Sequence, residues 1–207
     1  MPAPIRHAAL GLARIGATGE ALALTGMLFG LAAGASFLWT VNGGSTHICW
    51  LVAAVASSLR LFCTVTGESL NRLSGSRTGF EDESYRLIPE RVSDATILIG
   101  LGFAESSNPW LGLSSALLAI LSSYLRSIRD IDPNRGIMKR THRLVIVIAV
   151  ALLMLTPLPP TVGPLGIPVW GLGLISAGCV VTSVLRWTNC EHLVLRQEPA
   201  DGAPKNR

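Results

Sequence analysis

Residues 59–100 read LRLFCTVTGESLNRLSGSRTGFEDESYRLIPERVSDATILIG. Between Arg60 and Asp94 this stretch holds five arginines and six carboxylates (Glu68, Glu81, Asp82, Glu83, Glu90 and Asp94), and long apolar runs flank it on both sides. The same alternation of oily and charged segments continues through the chain. With 49% hydrophobic and 14% charged residues over 207 positions, the polar surface is too small to cover a soluble domain of this size. A bilayer core takes about 20 predominantly apolar residues per helix. Six stretches approach that length: 21–41, 48–66, 90–104, 109–128, 143–159 and 167–187. In the third, Pro89 and Asp94 interrupt the start and Glu105 the far end.

The positive charges give the orientation. All 17 Lys and Arg fall on alternate loops or at the adjoining ends of spans, and the connections 42–47, 105–108 and 157–168 contain none. Cytoplasmic loops of membrane proteins keep Lys and Arg while translocated loops lose them. This predicts an integral membrane protein with both termini cytoplasmic, in a bacterial inner membrane. Trp39, Trp50, Trp110 and Trp170 fall at outer span ends and Trp187 at an inner end, as an interfacial aromatic belt requires. The net charge of +4 then points to anionic lipid at the inner leaflet rather than to nucleic acid.

The expected architecture is all-α: six transmembrane helices (21–187) form one membrane domain. An interfacial amphipathic segment (1–20), with Ile5, Leu10, Leu12 and Ile15 set among Arg6, His7 and Arg14, precedes it, and a polar cytoplasmic tail (188–207) follows. About twenty residues precede the first apolar run, which is itself long enough to span, so it reads as a retained span rather than a cleaved signal. Gly26, Gly30 and Gly34 form a small-residue stripe of the kind that lets helices approach closely. The proline-rich segment PLPPTVGPLGIP (157–168) reads as a stiff turn. Cys49, Cys63, Cys179 and Cys190 form no CxxC pair, so no metal or disulfide framework follows from them.

Ionisable groups inside the spans are the candidate chemistry. Arg60 lies within the second span, Asp94 a turn inside the third, and Arg126 near the inner end of the fourth. Such groups face a polar cavity or one another, or snorkel to the headgroups. Glu90 and Asp94 are four apart and share a helix face, and Thr64, Glu68 and Arg72 form a second four-residue series. If the two helices are neighbours, a polar pocket forms at the inner leaflet. A small transporter is disfavoured by the absence of broken-helix pairs at the midplane.

The stretch 59–100 resembles the signature region of CDP-alcohol phosphatidyltransferases. TGEALALTGMLFGLAAG (18–34), LGLSSALLAILSSYLRSI (111–128) and GIMKRTHRL (136–144) resemble further segments of that family in order. The family motif is D-x2-D-G-x2-A-R, eight or nine residues, then G-x3-D-x3-D. Anchored on LRLFC and PERVSD, its four aspartate positions fall on Thr64, Gly67, Arg86 and Glu90. Its first glycine falls on Glu68, its arginine on Arg72 and its second glycine on Asp82. The Pro-Asn pair expected in the first span is replaced by Gly19-Glu20.

The resemblance implies transfer of a phosphatidyl or phospho-alcohol group from a CDP-linked lipid donor to an alcohol in phospholipid synthesis, with CMP released. It also implies Mg²⁺ or Mn²⁺ as cofactor and a possible homodimer. In the family, four aspartates answer the +4 of two divalent ions, whereas the matching positions here sum to zero. Glu90 is the candidate catalytic carboxylate, and Arg72, Arg86 and Arg126 are candidate phosphate ligands. Glu90, Glu68, Asp82 and Asp94 are the oxygens left for a metal. Three readings stay open: a rearranged carboxylate site, phosphate binding by arginine, or self-neutralising pairs such as Arg86 with Glu90 and Glu68 with Arg72. The alternative to an enzyme is a non-catalytic protein that binds anionic lipid or an active paralogue.

Overall fold

The computed structural model describes residue 11 and residues 18–41, 46–74, 80–128, 138–156, 161–162 and 164–197, without the side chains of 71–74, 80–87, 126–128, 162 and 189–197. The interfacial segment expected over 1–20 falls almost wholly outside the described residues, as does the tail beyond Gln197. Six helices follow in order: α1 Gly19–Trp39, α2 Thr46–Ser74, α3 Phe80–Gly102, α4 Pro109–Ile128, α5 Arg140–Leu153 and α6 Ile167–Gln197. Three are long and apolar enough to cross a membrane, at Gly19–Trp39, Thr46–Leu70 and Ile167–Thr188, and α4 holds a shorter apolar stretch, Pro109–Leu125. The chain is an integral membrane protein.

Each helix occupies the place of one expected span, but several run past it. α3 starts ten residues before the expected 90 and carries Pro89 buried in its interior. Proline lacks an N–H and crowds the preceding turn, yet the helix continues through it. α2 ends eight residues beyond 66 and α6 ten beyond 187. The connection between α5 and α6 is a small departure from an all-α chain. β1 (Thr161–Val162) and β2 (Leu165–Gly166) pair antiparallel, Thr161 opposite Gly166 and Val162 opposite Leu165.

α1 shows how the bundle is held. Thr18 caps it, its Oγ1 accepting the Ala21 N–H at 3.2 Å. The helix is apolar all round, so side-chain size rather than polarity selects the buried face. Ala23, Gly26, Gly30, Ala33, Gly34 and Phe37 turn inward at three- and four-residue steps, while Leu24, Leu28, Leu31 and Leu38 are exposed. The small stripe seats α1 against α2 and α3. A methyl group on Gly34 would lie 2.6 Å from the carbonyl oxygen of Thr96, and one on Gly100 would lie 2.8 Å from the Cα of Gly34. The stripe is therefore a seam within this chain, and a homodimer would have to use another face.

The remaining contacts close the bundle. α3 also packs on α4 and α6, α4 on α6, and α5 on α2 and α6. Phe37 meets Trp50 edge to face at 5.4 Å between ring centroids, inside a core that includes Ile97, Leu101, Leu172 and Ile175. At the C-terminal end of α1 Thr40 donates to the Phe37 carbonyl (2.6 Å) and accepts the Glu105 N–H (3.0 Å), tying α1 to the turn after α3.

Candidate functional site

Five charged side chains from three helices meet inside the bundle. Arg60 of α2 is 1% exposed. Its Nε donates to Ser93 Oγ and its Nη1 to Thr64 Oγ1, both at 2.6 Å, and its Nη2 lies 3.8 Å from Asp94 Oδ1. Among the described residues neither Nη2 nor Oδ1 has a hydrogen-bond partner, so the buried guanidinium relies on two hydroxyls and the more distant charge of Asp94 to offset its desolvation.

α5 supplies the other side. Arg140 lies across both acidic residues of α3: its Nε donates to Asp94 Oδ2 at 2.9 Å, its Nη1 pairs with Glu90 Oε2, and its Nη2 donates to the Glu90 carbonyl. Arg143, 6% exposed, approaches Asp94 Oδ2 at 3.5 Å and donates to the Ala119 carbonyl at 3.2 Å. Glu90 and Asp94 do share one helix face, as their spacing requires. Their described partners are Arg140, Arg143 and Arg60.

Beside this network a shallow, open recess is lined by Gly19, Leu22, Ala23, Arg60, Cys63, Thr64, Gly67, Glu68 and Glu90. Three of the four positions aligned to motif aspartates, Thr64, Gly67 and Glu90, thus meet at one place with Glu68. Gly19, which replaces the proline of the first-span pair, faces them. Asp94 sits behind the recess in the ion-pair network rather than on its wall. The side chains of Arg72, Arg86, Arg126 and Asp82 lie outside the described residues.

The metal pair that the resemblance implies does not fit these side chains. Among the described residues no group of three or more His, Cys, Asp or Glu could hold a metal ion. Glu90 and Asp94 already bind Arg140, and the recess wall carries the Arg60 guanidinium. Among the described side chains that leaves Glu68, a shared Glu90 and one hydroxyl, short of the oxygen set that two hard cations need.

Arg140 had no place among the candidate residues because its charge was accounted for as an inner-loop residue. The signal that would have found it is two unpaired carboxylates on α3 together with the basic run KRTHR opening the next-but-one span.

The crystal structure of Mycobacterium tuberculosis phosphatidylinositol phosphate synthase (PgsA1) in apo form is similar to this chain. The TM-score is 0.62 at 22% sequence identity, over 87% of this chain and 92% of that one. At that identity the likeness is one of fold. No protein-family model matches the sequence, and no curated protein matches it.

Proposed function

We propose that this chain works in phospholipid synthesis as a CDP-alcohol phosphatidyltransferase-like protein, taking the diphosphate of a CDP-linked lipid at the recess between α1, α2 and α3. One observation carries the reading: four residues of the aligned motif, Thr64, Gly67, Glu68 and Glu90, line a single recess in a bundle of the matching fold. In the transfer the acceptor's hydroxyl oxygen attacks the lipid-side phosphorus and the P–O bond to CMP breaks. CMP leaves with the bonding electrons, and the hydroxyl proton passes to a base. Glu90 is the candidate base, through the carboxylate oxygen that Arg140 does not hold. Arg60 on the recess wall is a candidate partner for a phosphate oxygen, and Arg72, Arg86 and Arg126 remain candidate phosphate ligands. The six helices are six spans of an inner membrane, with the recess and both termini on the cytoplasmic side where the Lys and Arg gather.

A second reading is favoured by the ion pair of Glu90 with Arg140: a non-catalytic protein that binds the anionic head of a lipid, or an active paralogue. CMP release from short-chain CDP-diacylglycerol, with a panel of alcohol acceptors, separates the two. The transfer reading expects release by the wild-type protein. It also expects a loss of about 100-fold or more in Glu90→Gln, with donor binding retained. Donor binding by the wild type with no CMP release across the panel selects the second reading.

A further inference from the structure

We infer that the recess holds the donor's diphosphate with fixed guanidinium groups in place of divalent metal ions. The inference rests on the donor reading above and concerns how that site is charged. In the resembled family, four aspartates and two divalent ions sum to zero before the substrate arrives. Here Arg140 and Arg143 are bound to Glu90 and Asp94, and Arg60 stands on the recess wall, so the cations beside the recess are built into the chain.

The geometry supports the exchange in detail. Arg140 occupies the two carboxylates that would otherwise turn to a metal, with Nε and Nη1 on separate acidic groups. Arg60, 1% exposed, lines the recess, and its Nη2 lies 3.8 Å from Asp94 Oδ1 without a hydrogen bond to it. Ser93 and Thr64 hold its other two nitrogens, so that remaining N–H pair has a fixed position. Guanidinium N–H groups match phosphate oxygens in charge and in planar two-point geometry. Gly67 adds room: a Cβ there would meet nothing closer than 3.8 Å, so the wall beside Thr64 is open to a ligand. Of the two carboxylates on the wall, Glu90 is paired with Arg140, and Glu68 is exposed at the recess.

The sign of the effect at Glu68 separates the two ways of binding. A metal ligand, when removed, weakens donor binding, whereas an uncompensated carboxylate beside a phosphate, when removed, strengthens it. The experiment measures the affinity of the detergent-solubilised full chain for short-chain CDP-diacylglycerol, and for CDP alone, in chelator, in Mg²⁺ and in Mn²⁺. Bound Mn²⁺ is followed separately by its paramagnetic resonance signal. The expected affinities agree within about threefold across the three conditions, and no Mn²⁺ is immobilised. Glu68→Gln, at an exposed position that folding tolerates, tightens binding by about three- to tenfold in chelator. Arg60→Gln weakens it by about tenfold or more, and Arg60→Lys, which keeps the cation but not the fork, recovers part of that loss. Binding that disappears in chelator and returns with Mg²⁺, or weakening in Glu68→Gln, overturns the inference and leaves the donor reading standing. Failure of the wild type to bind either probe under any condition overturns the donor reading, and the inference with it.

Discussion

Arg140→Gln is expected to lower the stability of the solubilised protein by about 3–5 kcal/mol, because breaking a buried ion pair strands its partner. Asp94 would keep Arg143 at 3.5 Å and Arg60 at 3.8 Å. Glu90 would lose Arg140 from its carboxylate and from its carbonyl together, and Asp94, four residues on, would then repel it. All three side chains are less than a fifth exposed, at 18% for Arg140 and Glu90 and 13% for Asp94, so water offers little compensation. The diagnostic result is a second-site effect. Arg140→Gln combined with Glu90→Gln removes the stranded charge and recovers a large part of the loss, since replacing both members of a pair costs far less than removing one. Reversible unfolding in mixed micelles measures both variants. A double variant no more stable than Arg140→Gln alone would show that the loss comes from packing or from Asp94 instead.

Gly34→Leu and Gly100→Leu form the second large-effect pair. Even a methyl group at Gly100 would meet the carbonyl oxygen of Gly34 at 2.5 Å, and one at Gly34 would meet the backbone of Thr96. Backbone atoms cannot rotate out of the way, so the helices must part. Overpacking of a tight interface costs about 1–3 kcal/mol, and a branched side chain at a backbone crossing falls at or above the upper end. The damage should reach the recess, because Gly30 lies over Ser93, whose hydroxyl receives Arg60. Donor binding is expected to fall together with stability. Gly173→Ala is the control of opposite sign: nothing lies within 4 Å of that position, and Ala gains about 1 kcal/mol over Gly in a helix interior. Equal losses at Gly173 and Gly100 would falsify the close-packing account.

How much of this was legible in the residues differs between fold and site. Six apolar runs gave six helices, and the glycine stripe gave a close-packed seam, because burial and small size leave direct traces in one dimension. Helix ends did not follow the apolar runs. Hydropathy reports the thickness of the bilayer, whereas backbone hydrogen bonding continues into the aqueous margin, so α2, α3 and α6 exceed the spans expected of them. Pro89 interrupts the apolar run, yet it sits inside α3.

Within the site, the shared face of Glu90 and Asp94 followed from their four-residue spacing. Motif alignment brought Thr64, Gly67, Glu68 and Glu90 to one recess although only Glu90 keeps its acidity. The partner of Glu90 did not follow. Arg140 lies 50 residues away in sequence, and a positive residue at an inner span end already had a sufficient explanation in membrane orientation. Long-range ion pairs have no period for a sequence to display. The same holds for Gly100, a lone glycine whose role depends on Gly34 lying across from it.

The inward turn of the small residues on α1 has a consequence for how this chain can vary. Exchanging Leu24, Leu28, Leu31 or Leu38 for another oily residue swaps one lipid-compatible surface for another. A single carbon added at Gly30 or Gly34 strikes a neighbouring helix. Drift along this helix therefore runs inside out: its outward leucines are free to wander, and its plainest positions are held still.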